Sequence, residues 1–137
     1  MAAHGDPQPA FGAAETALRQ ALALRGGKSA DSLYALAELR RRRAEWRITR
    51  KLAIGSDVRD GLELIARALE QNAQFALGDA EEGALHLVAA RSAHGAAERI
   101  AAAERARAAL DKALATNANL AHEFGPLRAE ADRLAQK

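Results

Sequence analysis

Apolar residues recur along the chain at the three- and four-residue spacing that is typical of amphipathic helices, and short breaks separate the runs. This pattern predicts helices over residues 13–25, 29–54, 57–71, 75–92, 96–115 and 126–135. A loose turn over 119–124 should precede the last helix, because Pro126 would break a hydrogen bond inside a helix. Residues 1–12 contain Gly and Pro without periodicity and predict a flexible leader, so the helical domain should span 13–137.

The second predicted helix carries two apolar stripes rather than one. Wound at 100° per residue, one stripe contains Leu33, Tyr34, Ala37, Ala44 and Ile48, and the other contains Leu36, Leu39 and Trp46. A helix with two apolar faces must be covered from two sides. The sequence therefore favours a stacked array of helices over a helix at the rim of a bundle.

Composition supports an all-α fold of about six helices. The chain has 37 Ala and 18 Leu against only 4 Ile, 2 Val and 3 Thr, so residues that suit a pleated sheet are scarce. The absence of cysteine excludes a disulfide framework and thiol catalysis. No apolar run approaches the length of a membrane helix, and the N-terminus lacks an apolar signal segment, which favours a cytoplasmic protein with no membrane partner.

A repeat with an offset of 45 residues is the most specific pattern in the chain. The segment 69–76, Leu-Glu-Gln-Asn-Ala-Gln-Phe-Ala, returns over 114–121 as Leu-Ala-Thr-Asn-Ala-Asn-Leu-Ala. A fainter copy, Ala21-Leu22, lies 47 residues before the first. Each unit predicts a helix, a short turn and a second helix, and stacking three such hairpins buries a continuous core.

At these positions the chain resembles the tetratricopeptide repeat family, whose pattern has a small residue and Leu closing the first helix and small residues in the second. The matching residues are Ala68, Leu69, Ala76 and Gly83 in one unit and Ala113, Leu114 and Ala121 in the next. The tail over 120–134 is similar to the C-terminal tetratricopeptide-like region of large bacterial Ser/Thr protein kinases of the myxobacterial type. The resemblance implies a short α-solenoid of antiparallel hairpins that acts as a regulatory or docking region, since no kinase motif is present.

A basic stripe on the second helix is the main candidate for a binding surface. Arg40, Arg43, Arg47 and Arg50 share one face, and Trp46 lies at its edge. These five residues are the predicted protein-binding residues, suited to phosphates or an acidic peptide. The alternative is structural, with the arginines paired to Glu38, Glu45 and a neighbouring helix.

No motif indicates catalysis, a metal or a cofactor. Residues 26–29, Gly-Gly-Lys-Ser, lack the spacing and the preceding strand of a phosphate loop. Glu82 and His86 share a helix face but supply only two metal ligands. We therefore predict a non-enzymatic protein that binds another protein or a peptide. The alternatives are nucleic-acid binding through the Arg40–Lys51 helix, which a net charge of +2 disfavours, and a structural, self-associating module.

Overall fold

Six α-helices account for most of the chain. The computed structural model describes residues 5–136, and its helices are α1 Gln8–Leu24, α2 Ala30–Thr49, α3 Asp57–Gln71, α4 Ala76–Ser92, α5 Ala96–Thr116 and α6 Ala121–Leu134. A single 3-10 turn, Ala118–Leu120, joins α5 to α6, and the described residues contain no strand. The prediction of an all-α fold of about six helices is confirmed.

Each helix packs against the next one along the chain, and α4 also packs against α2 and α6. The core is a series of small clusters, most of which join three helices. One joins α1, α2 and α3 through Leu22, Leu33, Leu36 and Ala68; another joins α2, α3 and α4 through Ala37, Ile65 and Leu85; a third joins α4, α5 and α6 through Leu87, Ala106 and Ala131. Overlapping clusters of this kind are what a helical repeat array produces, because each hairpin buries its faces on its neighbours.

The 45-residue repeat of the sequence is also a repeat of backbone geometry. Asn72 and Asn117 end α3 and α5 with nearly the same dihedrals, φ −150° and ψ 98° against φ −144° and ψ 97°. Each Oδ1 accepts a hydrogen bond from the backbone N–H two residues later, at 3.0 Å from Gln74 and 3.1 Å from Asn119. An Asn side chain that bonds its own backbone in this way favours a turn over a longer helix.

Small residues let α4 and α5 approach closely. A Cβ atom built on Gly83 of α4 would lie 2.6 Å from Leu110 Cγ and 3.1 Å from the carbonyl oxygen of Ala106, both on α5. Glycine is therefore required at this position by the spacing of the two helices, although it weakens an isolated helix by about 1 kcal/mol relative to Ala.

The first helix begins earlier than predicted. It starts at Gln8, inside the segment 1–12 that was predicted to be a flexible leader. Pro7 is the N-cap and Pro9 lies in the first turn. Backbone N–H groups of the first turn have no partner inside a helix, so a proline there removes no hydrogen bond. The two prolines therefore mark the start of a helix and not a loop. Residues 1–4 of the predicted leader lie outside the described residues.

The second helix ends at Thr49, five residues before the predicted end. Lys51 takes a left-handed conformation with φ 56°, and the backbone N–H of Leu52 donates to the carbonyl of Arg47 at 2.9 Å. The same closing motif ends α1, where Gly26 has φ 67° and Gly27 N–H donates to the carbonyl of Leu22 at 2.9 Å. The end of α2 could not be read from the sequence because its left-handed residue is Lys where glycine is usual.

The prediction for the last helix was wrong. Residues 121–134 form one helix with Pro126 inside it, where a loose turn and a later start were expected. The carbonyl that loses its partner belongs to His122, and both His122 and Pro126 are exposed to water. Phe124 and Leu127, on either side of the proline, pack against the Ala80–Leu110–Ala113 cluster and hold the helix in place.

Candidate functional site

Three arginines of the predicted binding stripe converge on one buried carboxylate. Asp57, the first residue of α3, is only 1% exposed. Arg43 contacts it at two points, with Nη2 2.6 Å from Oδ1 and Nε 3.0 Å from Oδ2. Arg40 Nη1 lies 3.3 Å from Oδ1 and Arg47 Nη1 lies 3.2 Å from Oδ2. The spacing of the arginines puts all three on one face of α2, and α3 supplies the charge that they need.

A second acid from α1 completes this cluster. Glu15 pairs with Arg40, and its Oε2 lies 3.7 Å from Arg43 Nη1. The hydrogen bond to Asp57 raises the pKa of Arg43 above its ordinary value, so the guanidinium remains charged. Arg40, Arg43 and Arg47 thus link α1, α2 and α3, and carboxylates of the same chain largely neutralise their charge.

The other arginines of the run have partners of their own. Arg41 Nε lies 2.6 Å from Oε1 of Glu81, a fully buried residue of α4, and Arg41 also pairs with Glu45. Burial raises the pKa of Glu81, although the Arg41 charge acts in the opposite direction. Arg42 Nε lies 2.9 Å from Oε1 of Glu38. Arg41 and Arg42 thus make the contacts that the structural alternative predicted. Their partners are Glu38, Glu45 and an acidic residue of a neighbouring helix.

Trp46 and Arg50 occupy a different surface, at the C-terminal end of α2. The Trp46 ring meets Phe11 of α1 edge to face, with centroids 6.5 Å apart, and Arg50 Cζ lies 5.8 Å from the Trp46 ring centroid. Arg50 is exposed, and the nearby Leu52 is 52% exposed. We call Trp46, Arg50, Lys51 and Leu52 the α2-end patch.

Two surface depressions flank the α2-end patch, and Leu52 lines both. One, of about 310 Å³, is bounded by Asp6, Trp46, Arg50 and Leu52. The other, of about 510 Å³, lies between the α2–α3 connection and the α4–α5 connection. Its lining includes Ile48, Lys51, Leu52, Ile54, His94 and Glu98. We call this second depression the connection groove.

A polar cluster between α4 and α5 is another place where titratable groups collect. Glu82, His86, Arg105 and Lys112 line a depression of about 380 Å³, and His86 Nε2 lies 3.9 Å from Glu82 Oε1. Burial raises the pKa of Glu82, while burial and the Arg105 charge lower that of His86. Nowhere in residues 5–136 do three metal-ligating side chains come close enough to hold an ion.

Comparison with known proteins adds no relative. The chain matches no family model, and no curated protein or solved structure is significantly similar to it. Within the described residues, every helix is too short or too polar to cross a membrane.

The structure therefore divides the five predicted binding residues into two groups. Arg40, Arg43 and Arg47 surround Asp57, whereas Trp46 and Arg50 lie together at the end of α2. The sequence included Lys51 only in the nucleic-acid alternative, as the end of the Arg40–Lys51 helix, and it did not select Leu52 or the Asp57 carboxylate. Asp57 has the sequence position of an ordinary helix cap, and only the packing of α3 on α2 shows that it faces three arginines.

Proposed function

We propose that this chain is a non-catalytic protein–protein interaction module that contacts its partner through the α2-end patch. The observation that carries the proposal is the surface formed by exposed Arg50 and Leu52 beside half-buried Trp46, three residues that line one depression together. Trp and Arg are enriched among the residues that dominate binding energy at protein interfaces.

The helical array supports the same class of function. Stacked hairpins with a repeated Asn turn agree with the tetratricopeptide resemblance, and that resemblance implies a docking or regulatory region, such as the tail of a Ser/Thr kinase. A rigid array of this kind presents side chains from several helices at fixed positions, which suits recognition rather than chemistry.

Nucleic-acid binding through the Arg40–Lys51 helix is the less favoured alternative. Phosphate binding requires cations that are not already neutralised. Of the basic residues on this helix, Arg40, Arg41, Arg43 and Arg47 pair with carboxylates of the chain itself. Arg50 and Lys51 have no carboxylate within ion-pairing distance among residues 5–136, and two cations make a small electrostatic footprint.

Affinity capture from a lysate of the source organism tests the proposal. The wild type is compared with Arg50→Glu/Leu52→Asp, each with and without nuclease. The matched control is Arg25→Glu/Leu24→Asp, which makes the same changes at exposed positions near the other end of α2. A discrete protein that survives nuclease, is lost in the first variant and is kept in the control is the expected result.

Two outcomes would overturn the proposal. Material that disappears with nuclease alone would assign the patch to nucleic acid. Recovery of the bait chain alone, together with a mass that rises with concentration, would indicate a self-associating module. Circular dichroism of each variant tests whether the helices are intact, which separates a loss of the contact from unfolding.

A further inference from the structure

Glu81 is a fully buried carboxylate between two helical hairpins, α2–α3 and α4–α5. It lies on α4, and Arg41 Nε of α2 donates a hydrogen bond to its Oε1 at 2.6 Å. The other oxygen, Oε2, has no hydrogen-bond partner among residues 5–136. A buried carboxylate with an unpaired oxygen is costly to keep ionised, because burial removes the water that would solvate the charge. Within the described chain, Arg41 is the one cation that pairs with it.

Arg41 is shared between two carboxylates. Its Nη1 pairs with Glu45, which lies one turn further along the same helix. The Glu45 side chain is 36% exposed, so water stabilises its charge, whereas Glu81 has no contact with water. Although burial acts against it, the Glu81 charge raises the pKa of Arg41, and the guanidinium stays protonated. Arg41 therefore already contacts a second partner to which it can turn without moving far.

The other charged and titratable groups that face Glu81 lie on α2. Glu38 and Glu45 place negative charge near it, and their repulsion adds to the effect of burial in raising the pKa of Glu81. Glu38 also pairs with Arg42, at 2.7 Å from Nη2 to Oε1. Burial raises the pKa of Tyr34, so its hydroxyl remains neutral. In the part of the chain that the structure describes, no side chain of α3, α5 or α6 forms an ion pair with Glu81.

We propose that Glu81 is a proton-operated switch in the link between the two hairpins. When Glu81 takes up a proton, its hydrogen bond with Arg41 becomes weaker, because a bond to an ionised acceptor is roughly twice as strong as one to a neutral acceptor. The guanidinium then turns to Glu45. The ion pair between the hairpins is thus made at neutral pH and lost in mild acid. This inference goes beyond the proposed interaction function and does not depend on it.

Loss of the ion pair loosens the link without unfolding either hairpin. Apolar contacts such as the Ala37–Ile65–Leu85 cluster still hold α2 and α3 against α4. Because burial raises the pKa of Glu81, the folded protein takes up this proton before the unfolded chain does. Protonation of Glu81 therefore favours the folded state as the pH falls from the raised folded value to the unfolded one. Burial of His86 has the opposite effect on stability, so the switch must be measured at Glu81 and Arg41 themselves.

A pH titration of the full chain by nuclear magnetic resonance tests the switch. The carbon shift of Glu81 Cδ reports protonation of the carboxylate, and the Nε–Hε signal of Arg41 reports a change of partner. Both signals should change with one midpoint, at a higher pH than the midpoint of the same glutamate in an unfolded peptide. A Glu81 signal that titrates like that of the peptide would overturn the inference, as would an Arg41 signal that does not follow it.

Glu81→Gln provides the matching variant, because the amide is neutral and similar in shape to a protonated carboxyl group. At neutral pH its Arg41 signal should already have the position that the wild type reaches in acid, and it should no longer change with pH. Glu130→Gln is the control: it removes a partly exposed acid that pairs with Arg91 between α4 and α6. This control should leave the Arg41 titration unchanged. An Arg41 signal that still titrates in Glu81→Gln would overturn the inference, and the wild-type titration decides alone if this variant fails to fold.

Spin labels measure whether the link between the hairpins loosens. The described residues contain no cysteine, so Arg59→Cys on α3 and Glu104→Cys on α5 give one label on an exposed position of each hairpin. In this labelled chain the distribution of distances should be narrow at neutral pH and broader in mild acid. Adding Glu81→Gln should make the distribution broad at neutral pH as well. A width that changes with neither pH nor the substitution would show that protonation of Glu81 does not loosen the link.

Discussion

The Arg43 guanidinium and the Asp57 carboxylate form a two-point pair between α2 and α3, with Nη2–Oδ1 and Nε–Oδ2 distances of 2.6 Å and 3.0 Å. Parallel contacts of this kind are the strongest form of Arg–carboxylate interaction. Because Asp57 is buried and also faces Arg40 and Arg47, its loss leaves three cations without their common partner.

We expect Asp57→Asn to lower the free energy of unfolding by about 3 kcal/mol, as when one member of a buried ion pair is removed. Urea denaturation measures the change. The control is Asp111→Asn, which breaks the Arg128–Asp111 pair, whose Nε–Oδ1 distance is 2.6 Å. Asp111 is exposed, so its loss should change stability by less than about 1 kcal/mol. If both substitutions changed the free energy of unfolding by similarly small amounts, the Asp57 cluster would contribute no more stability than an exposed ion pair.

Gly83→Ala should destabilise the protein by about 1–3 kcal/mol, because the added methyl group meets Leu110 and forces α4 and α5 apart. Gly12→Ala provides the opposite case: Gly12 lies in α1 with no atom within 4 Å of an added Cβ. The better helix propensity of Ala should therefore raise stability there by up to about 1 kcal/mol. Thermal denaturation of the two variants should show shifts of opposite sign.

Lys51→Gly should raise the free energy of unfolding by about 0.5–1 kcal/mol, because glycine relieves the left-handed strain but gives up more backbone entropy. Lys51→Ala removes the same side chain and keeps the strain, so it should bring no gain. Chemical denaturation distinguishes the two. Equal stability of Lys51→Gly and Lys51→Ala would show that the backbone at the end of α2 is not strained.

His86 should make stability fall as the pH drops below neutrality. Burial and the nearby Arg105 charge lower its pKa in the folded protein below the ordinary value of about 6.5. The unfolded chain therefore takes up the proton first, and the stabilisation is lost as pH falls from 6.5 towards the lower pKa. Glu82 and Lys112 face the same depression, and the raised pKa of Glu82 acts in the opposite direction.

The measurement is a series of urea denaturation curves between pH 7.5 and 5.5 for the wild type and His86→Gln. The wild type should lose stability more steeply than the variant over this range. His122→Gln removes an exposed histidine of α6 and controls for the loss of a histidine as such. Parallel curves for the wild type and His86→Gln would rule out His86 as the source of pH dependence.

Local sequence signals predicted the helices and the repeated turns well. α3, α4 and α5 lie within about one residue of their predicted bounds, because Ser56, Asn72 and Gly95 mark their ends by ordinary turn chemistry. The errors in the predicted helix bounds occur where a residue that is uncommon at a helix position occupies it. Pro9 opens a helix, Pro126 lies inside one, and Lys51 closes one in the conformation expected of glycine.

The candidate site was less predictable, because it depends on contacts between helices. A helical wheel correctly aligned Arg40, Arg43 and Arg47, but their charge partner lies on another helix. Exposure of Leu52 follows from the early end of α2, which the sequence did not indicate. Tertiary packing thus decided which cations turn inward and which remain on the surface.

Helix α4 packs against four other helices, α2, α3, α5 and α6. It therefore contacts both halves of the array, and the chain cannot be divided after α4 without exposing buried residues. A fragment that ends at Ser92 would uncover Ala80, Gly83 and Leu87, which α5 and α6 now cover. Because the end of a helical array needs a polar outer face, an array that ended at this boundary would need polar side chains at these positions of α4.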